Sequence, residues 1–189
     1  MPANPREPVD AALLSRLAAM PALLRRIAAS LADAAARQPG PDGAFAFVEH
    51  AWHLADLERE GYGTRITRIL TEERPALADF DGDRAARERD YLGADPALGV
   101  EVFAHARQRI VERLRGLGAA DLARPAVQEG VGELVLASVP SMMDEHDRQH
   151  AEELAALLDA LGAPAAARKA IRTHAADAPR PGAGRSRAA

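Results

Sequence analysis

Cysteine is absent from the 189-residue chain. That excludes disulfides and every thiolate metal site, so any bound metal must be held by His, Asp or Glu. Aromatic residues make up only 4% of the chain and β-branched runs are short, while Ala and Leu carry most of the 48% apolar share. This balance favours helix over sheet. Lysine is nearly missing too: Lys169 stands alone among arginines. A formal net charge of −4 gives no reason to expect a nucleic acid or an anionic membrane as partner. No run approaches the roughly 18 apolar residues of a membrane span. The opening "MPANPREPVD" has no apolar signal-peptide core. The expectation is a soluble, cytoplasmic protein of one domain.

What is present is helical periodicity. Leu13, Leu14, Leu17, Leu23, Leu24, Ile27 and Leu31 form an apolar stripe along a first segment, roughly 9 to 38, which Pro21 should kink or divide. "PGPDG", 39 to 43, breaks the chain. A second helix runs from about 44 to 72, with Gly61 and Gly63 weakening its middle or admitting another backbone. A third starts at Asp95 as N-cap and Pro96 as first helical residue, and stops at Gly116 or Gly118. A fourth starts near 133 and ends at Gly162, with Pro140 as an early kink. Residues 72 to 95 exceed the roughly 12 to 15 residues usual for an unstructured connection. A connection of that length lets consecutive bundle helices run parallel, and it is long enough to cover a site.

Histidine is where the chemistry concentrates. In "MMDEHDRQHAEEL" the fourth helix carries an inward stripe of Leu136, Val139, Met143, His146, His150, Leu154, Leu157 and Leu161, stepping by three and four. Residues four apart on a helix are offset by about 40° and roughly 6 Å, so both imidazoles can converge on one ion. A chance pair of this kind has a probability of roughly one in six, so the pair alone is a weak motif. A lone inward histidine is more often a core residue than a ligand. Helix two shifts the balance with His53 in "EHAWHLADLERE", a third imidazole on an apolar face. His50, three residues earlier, could take its place geometrically. Glu49, Asp56 and Glu145 lie close enough in sequence to orient the rings, and Glu49 and Asp56 are weak candidates for a general base, although most such carboxylates are solvated helix-face charges. His105 has no partner motif and reads as structural; His174 falls in the tail.

Three neutral imidazoles with open positions support two chemistries: hydrolysis through an activated water, or transfer of a metal-activated thiol, which here would have to be an external cosubstrate. A di-metal carboxylate site of the ferritin kind is excluded, since no histidine has Glu three residues before it. The rival from another class is a non-catalytic helical dimerisation or ligand-binding module.

"HLADLE" on the second helix, followed far downstream by "HDRQH" on the fourth, resembles the DinB/YfiT-like family of metal-dependent enzymes. "EREGYGTRI" and "DFDGDRAARERDY" are similar to a subgroup of it. The resemblance covers roughly residues 10 to 162. It implies an all-α four-helix bundle with a long crossover between helices 2 and 3, a bundle domain over 1–165 and a largely disordered tail over 166–189. It also implies His53, His146 and His150 as metal ligands, zinc or nickel as the ion, a small-molecule substrate with a low-molecular-weight thiol cosubstrate, and a homodimer.

Overall fold

The computed structural model describes residues 9–177. Helix α1 (Ala11–Ala28) begins where the Asp10 carboxylate accepts from the Ala12 N–H at 3.0 Å. Pro21 lies inside α1 without dividing it; Leu17, Met20, Leu23 and Leu24 around it are all buried, and that packing carries the turn whose hydrogen bond proline forfeits. The first rod is thus shorter than expected, and a single turn, α2 (Asp33–Ala36), follows separately.

The second rod consists of α3 (Phe47–Asp56), a π-helical turn over Leu57–Tyr62, and α4 (Gly63–Thr71). The glycines have a specific task here. The Gly63 N–H bonds back to the Glu58 carbonyl, five residues earlier, and a Cβ on Gly63 would stand 2.9 Å from that oxygen. A Cβ on Gly61 would collide with Leu57 at 2.5 Å. The widened turn is possible because both side chains are missing.

The crossover contains β1 (Ala76–Leu77) and α5 (Gly82–Glu88), then leads into α6 (Pro96–Arg115), capped by Asp95 as expected. After α7 (Ala119–Leu122) comes a hairpin, β2 (Pro125–Gln128) and β3 (Gly132–Val135). Strand β2 pairs antiparallel with β3 and parallel with β1, so the crossover is stitched to the segment before the last bundle helix. The sheet went unforeseen, and it corrects the expected start of helix four: α8 spans Val139–Ala160, and Pro140 sits in its first turn, where no N–H is needed, rather than kinking it.

A second correction concerns the expected tail. Residues from 165 onward form α9 (Ala165–Asp177), whose Ala167 and Ile171 join the core beside Leu157 and Leu158. The rest of the expected tail, 178–189, lies outside the described residues. The rods α1, α3–α4, α6 and α8 form the four-helix bundle. Among the described residues no helix is long and apolar enough to cross a membrane.

Candidate metal centre

Helices α3 and α8 carry the site. The hydrophobic register that buries Phe47, Ala51 and Leu54 on α3, and Met143, Leu154 and Leu157 on α8, turns His53, His146 and His150 toward one another. The Nε2 atoms of His53 and His146 stand 3.5 Å apart, and those of His146 and His150 stand 3.2 Å apart. One ring nitrogen from each of the three lies within 4.8 Å of the others. Around a tetrahedral ion with bonds of about 2.0–2.1 Å, ligand nitrogens sit roughly 3.4 Å apart. The two separations from His146 therefore match one such ion.

The electrostatics agree. Burial first, and the neighbouring His150 second, push His53 down from the ordinary histidine value to about 4. The same causes in the same order push His146 down to about 2, with His53, Arg107 and Arg65 adding to the effect. Both rings are neutral near pH 7, the form that donates a lone pair to a metal.

His150 is oriented from behind. Its Nδ1 faces Glu153 Oε2 at 3.2 Å and His50 Nδ1 at 2.9 Å. A carboxylate there favours the proton on Nδ1 and leaves the Nε2 lone pair facing His146. His50 is thus not a substitute for His53: it is buried on the far side of His150, held down at about 3 by burial and then by His150. Glu153 was missed in the sequence, although its spacing of three from His150 was there to be read.

The remaining expectations resolve as follows. Glu49 caps α3, accepting from the Ala46 N–H at 2.8 Å. Asp56 accepts from the Tyr91 hydroxyl at 2.6 Å and pairs with Arg89, tying the crossover to α3. Neither joins the histidine cluster. Glu145 reaches the cavity beside the cluster but pairs with the exposed Arg148. His105 is exposed on α6, away from the three rings.

The crossover does cover the site. Phe45 and Phe80 flank the His53 ring at centroid distances of 5.7 and 6.0 Å. A Cβ on Gly82 would stand 2.4 Å from His53 Cε1 and 2.6 Å from its Nδ1. Only a glycine lets α5 close over that ring. Gly82→Ala should favour α5 slightly, since alanine is the better helix former, yet weaken metal binding about 10- to 100-fold by turning His53 out of place. Competition with a chromophoric chelator measures this, and unchanged affinity would show that the contact does not position the ring.

Beside the cluster opens a cavity of about 820 Å³ lined by His53 and His146 at one end, and by Tyr62, Arg65, Phe80, Gln128, Ser138 and Ser141 among others. It is large enough for a small-molecule substrate.

Known proteins match this architecture. The family model described as the DinB superfamily matches residues 16–154, which include all three histidines. A Bacillus licheniformis protein named "Putative metal-dependent hydrolase" is 32% identical over 113 residues, which is 60% of this chain. The match spans 64% of that relative's length. The solved structure of YfiT from Bacillus subtilis, described as "a probable metal-dependent hydrolase with an unusual four-helix bundle topology", superposes with a TM-score of 0.74. That likeness covers 85% of this chain and 94% of the other at 23% identity, and bears on the fold alone.

Proposed function

This chain belongs to the DinB superfamily, and from that premise we propose that it is a metal-dependent enzyme acting on a small molecule, with His53, His146 and His150 holding one divalent ion. The observation that carries the reading is the convergence of one ring nitrogen from each of three histidines, with His146 Nε2 at 3.5 Å from His53 and 3.2 Å from His150, near the separation one tetrahedral ion requires. Zinc or nickel suits an all-imidazole donor set. Such an ion would supply Lewis acidity, lowering the pKa of a water toward about 7 or deprotonating a thiol outright.

The residues of this chain do the rest. Glu153 and His50 hold the His150 ring in orientation. Phe45, Phe80 and Gly82 pack against His53, which also lines the cavity shared with Tyr62 and Ser141.

Hydrolysis is the first reading, supported by the description of the Bacillus licheniformis relative. A second observation favours thiol transfer. Hydrolysis is helped by a base beside the attacking water, yet Glu49 and Asp56 are engaged in structural contacts. A thiol acidified by a bound ion would release its proton to solvent and need no such base. Metal-loaded protein should therefore be assayed with activated esters and, separately, with an alkylating electrophile plus a panel of low-molecular-weight thiols. Turnover that is lost with chelator and restored by adding back the ion supports the reading. Equal turnover by metal-free protein would sink it.

A further inference from the structure

We propose that the cavity beside the three histidines recognises a substrate carboxylate, with Arg65 as the cation that reads it and Gln128 Oε1 as the acceptor for a donor group elsewhere on the same substrate. The proposal rests on the metal-site reading above and assigns further residues of the same cavity.

Arg65 lies on α4 and is 6% exposed, yet it lines the cavity. Its Nη2 donates to the Ala78 carbonyl at 3.3 Å and to Asp79 Oδ1 at 3.0 Å, both on the crossover. Its Nε is buried with no partner. Gln128, the last residue of β2, is 4% exposed, lines the same cavity and has a buried Oε1 with no partner. Two buried, unsatisfied polar groups on one cavity point to a ligand that completes them, with an acceptor for the Arg65 Nε–H and a hydrogen-bond donor for Gln128 Oε1, because an unpaired buried polar atom is costly.

The charge balance gives the ligand class. A buried guanidinium requires a compensating anion. Among the described residues the one carboxylate paired with it, Asp79, has a side chain 69% exposed, and an ion pair to so exposed a partner contributes little. A planar guanidinium with Nε still unpaired matches the two oxygens of a carboxylate. Asp79 and Glu145 also line the cavity, and those two acids disfavour a dianionic phosphate. Position completes the argument. The Tyr62 ring is near both groups, 6.3 Å from the His146 ring and 5.6 Å from the Arg65 guanidinium carbon. A molecule lying along Tyr62 would present its reacting end to the histidines and its carboxylate to Arg65.

The test uses cobalt(II)-loaded full-length protein and two probe series of matched length: ω-mercaptocarboxylates and the corresponding ω-mercaptoalcohols. Affinity is read from the cobalt absorption spectrum. At the best chain length the carboxylate should bind at least about tenfold tighter than the alcohol. Arg65→Gln should abolish that preference. Asp79→Asn, on an exposed side chain, should raise carboxylate affinity severalfold by removing the competing negative charge. If Arg65 only pins the crossover, Asp79→Asn would leave carboxylate affinity unchanged or lower it, and the proposal would be overturned. Inorganic phosphate that competes more strongly than acetate would overturn the choice of carboxylate. If the protein takes up no cobalt at all, the metal reading has failed instead.

Discussion

Arg107→Met should lower the free energy of unfolding by about 3–5 kcal/mol at pH 7.5, because it strands two buried carboxylates. Arg107 is 1% exposed and touches all four rods of the bundle. Its Nε and Nη2 donate to Glu58 at 2.7 and 3.0 Å, Nη2 also donates to Asp147 at 2.9 Å, and Nη1 donates to the Leu17 carbonyl at 3.1 Å. Burial by itself would lower the arginine's pKa, but Asp147 and Glu58 outweigh it and raise the value. Burial raises the pKa of Glu58 even with the cation present. In the variant, folded Glu58 therefore binds a proton more readily than its unfolded counterpart, so the variant's deficit should shrink as pH falls toward 5.

The parent protein moves the other way. His50, His53 and His146 are held at about 3, 4 and 2, so below pH 6.5 the unfolded chain gains protons that the folded chain refuses, and stability falls with pH. Subtracting parent from variant at each pH cancels the His50 and His53 contributions; His146 loses the lowering effect of Arg107 in the variant, which shrinks the deficit at low pH in the same direction. Urea titrations followed by circular dichroism at pH 7.5 and 5 measure the difference, and a loss under 1 kcal/mol at pH 7.5 would show that the triad is not the structural tie we take it to be.

The second large effect separates a ligand from a residue that backs one. A four-ligand zinc site contributes roughly 10–16 kcal/mol of binding, so each ligand accounts for about 3–4 kcal/mol, or on the order of a thousandfold in affinity. His146→Ala should cost that much. His50→Ala should cost only about 10- to 100-fold, since His50 touches the Nδ1 side of His150 and not the cluster itself. Equal losses from the two substitutions would mean that the ion sits nearer His50 and Glu153, where a second group of possible ligands, His50, His150 and Glu153, also converges.

The bundle was legible because long amphipathic helices announce themselves by period, and the caps at Asp95 and Gly116 are local chemistry. His53, His146 and His150 were legible for the same reason: they fall on the apolar stripes. The small sheet was not, since β1 has two residues and β2 and β3 four each, too short for alternation to register. Its hairpin is signalled only by Gly130 and Gly132, whose φ angles are 73° and 92°. Helix α9 was lost in an alanine-rich stretch whose stability comes from packing Ile171 against α8, a long-range contact. Arg65, Gln128 and Gly82 could not have been placed at the site without the pairing of β1 with β2 that folds the crossover back over the histidines.

The most direct test of the account is X-ray absorption at the metal edge on protein purified without chelator or affinity tag, alongside elemental analysis. The account predicts one ion per chain, with three imidazole nitrogens at about 2.0–2.1 Å, and a His146→Ala protein that retains less than a tenth of the metal. Stoichiometric metal with no imidazole in its coordination shell, or full metal content in His146→Ala, would contradict it.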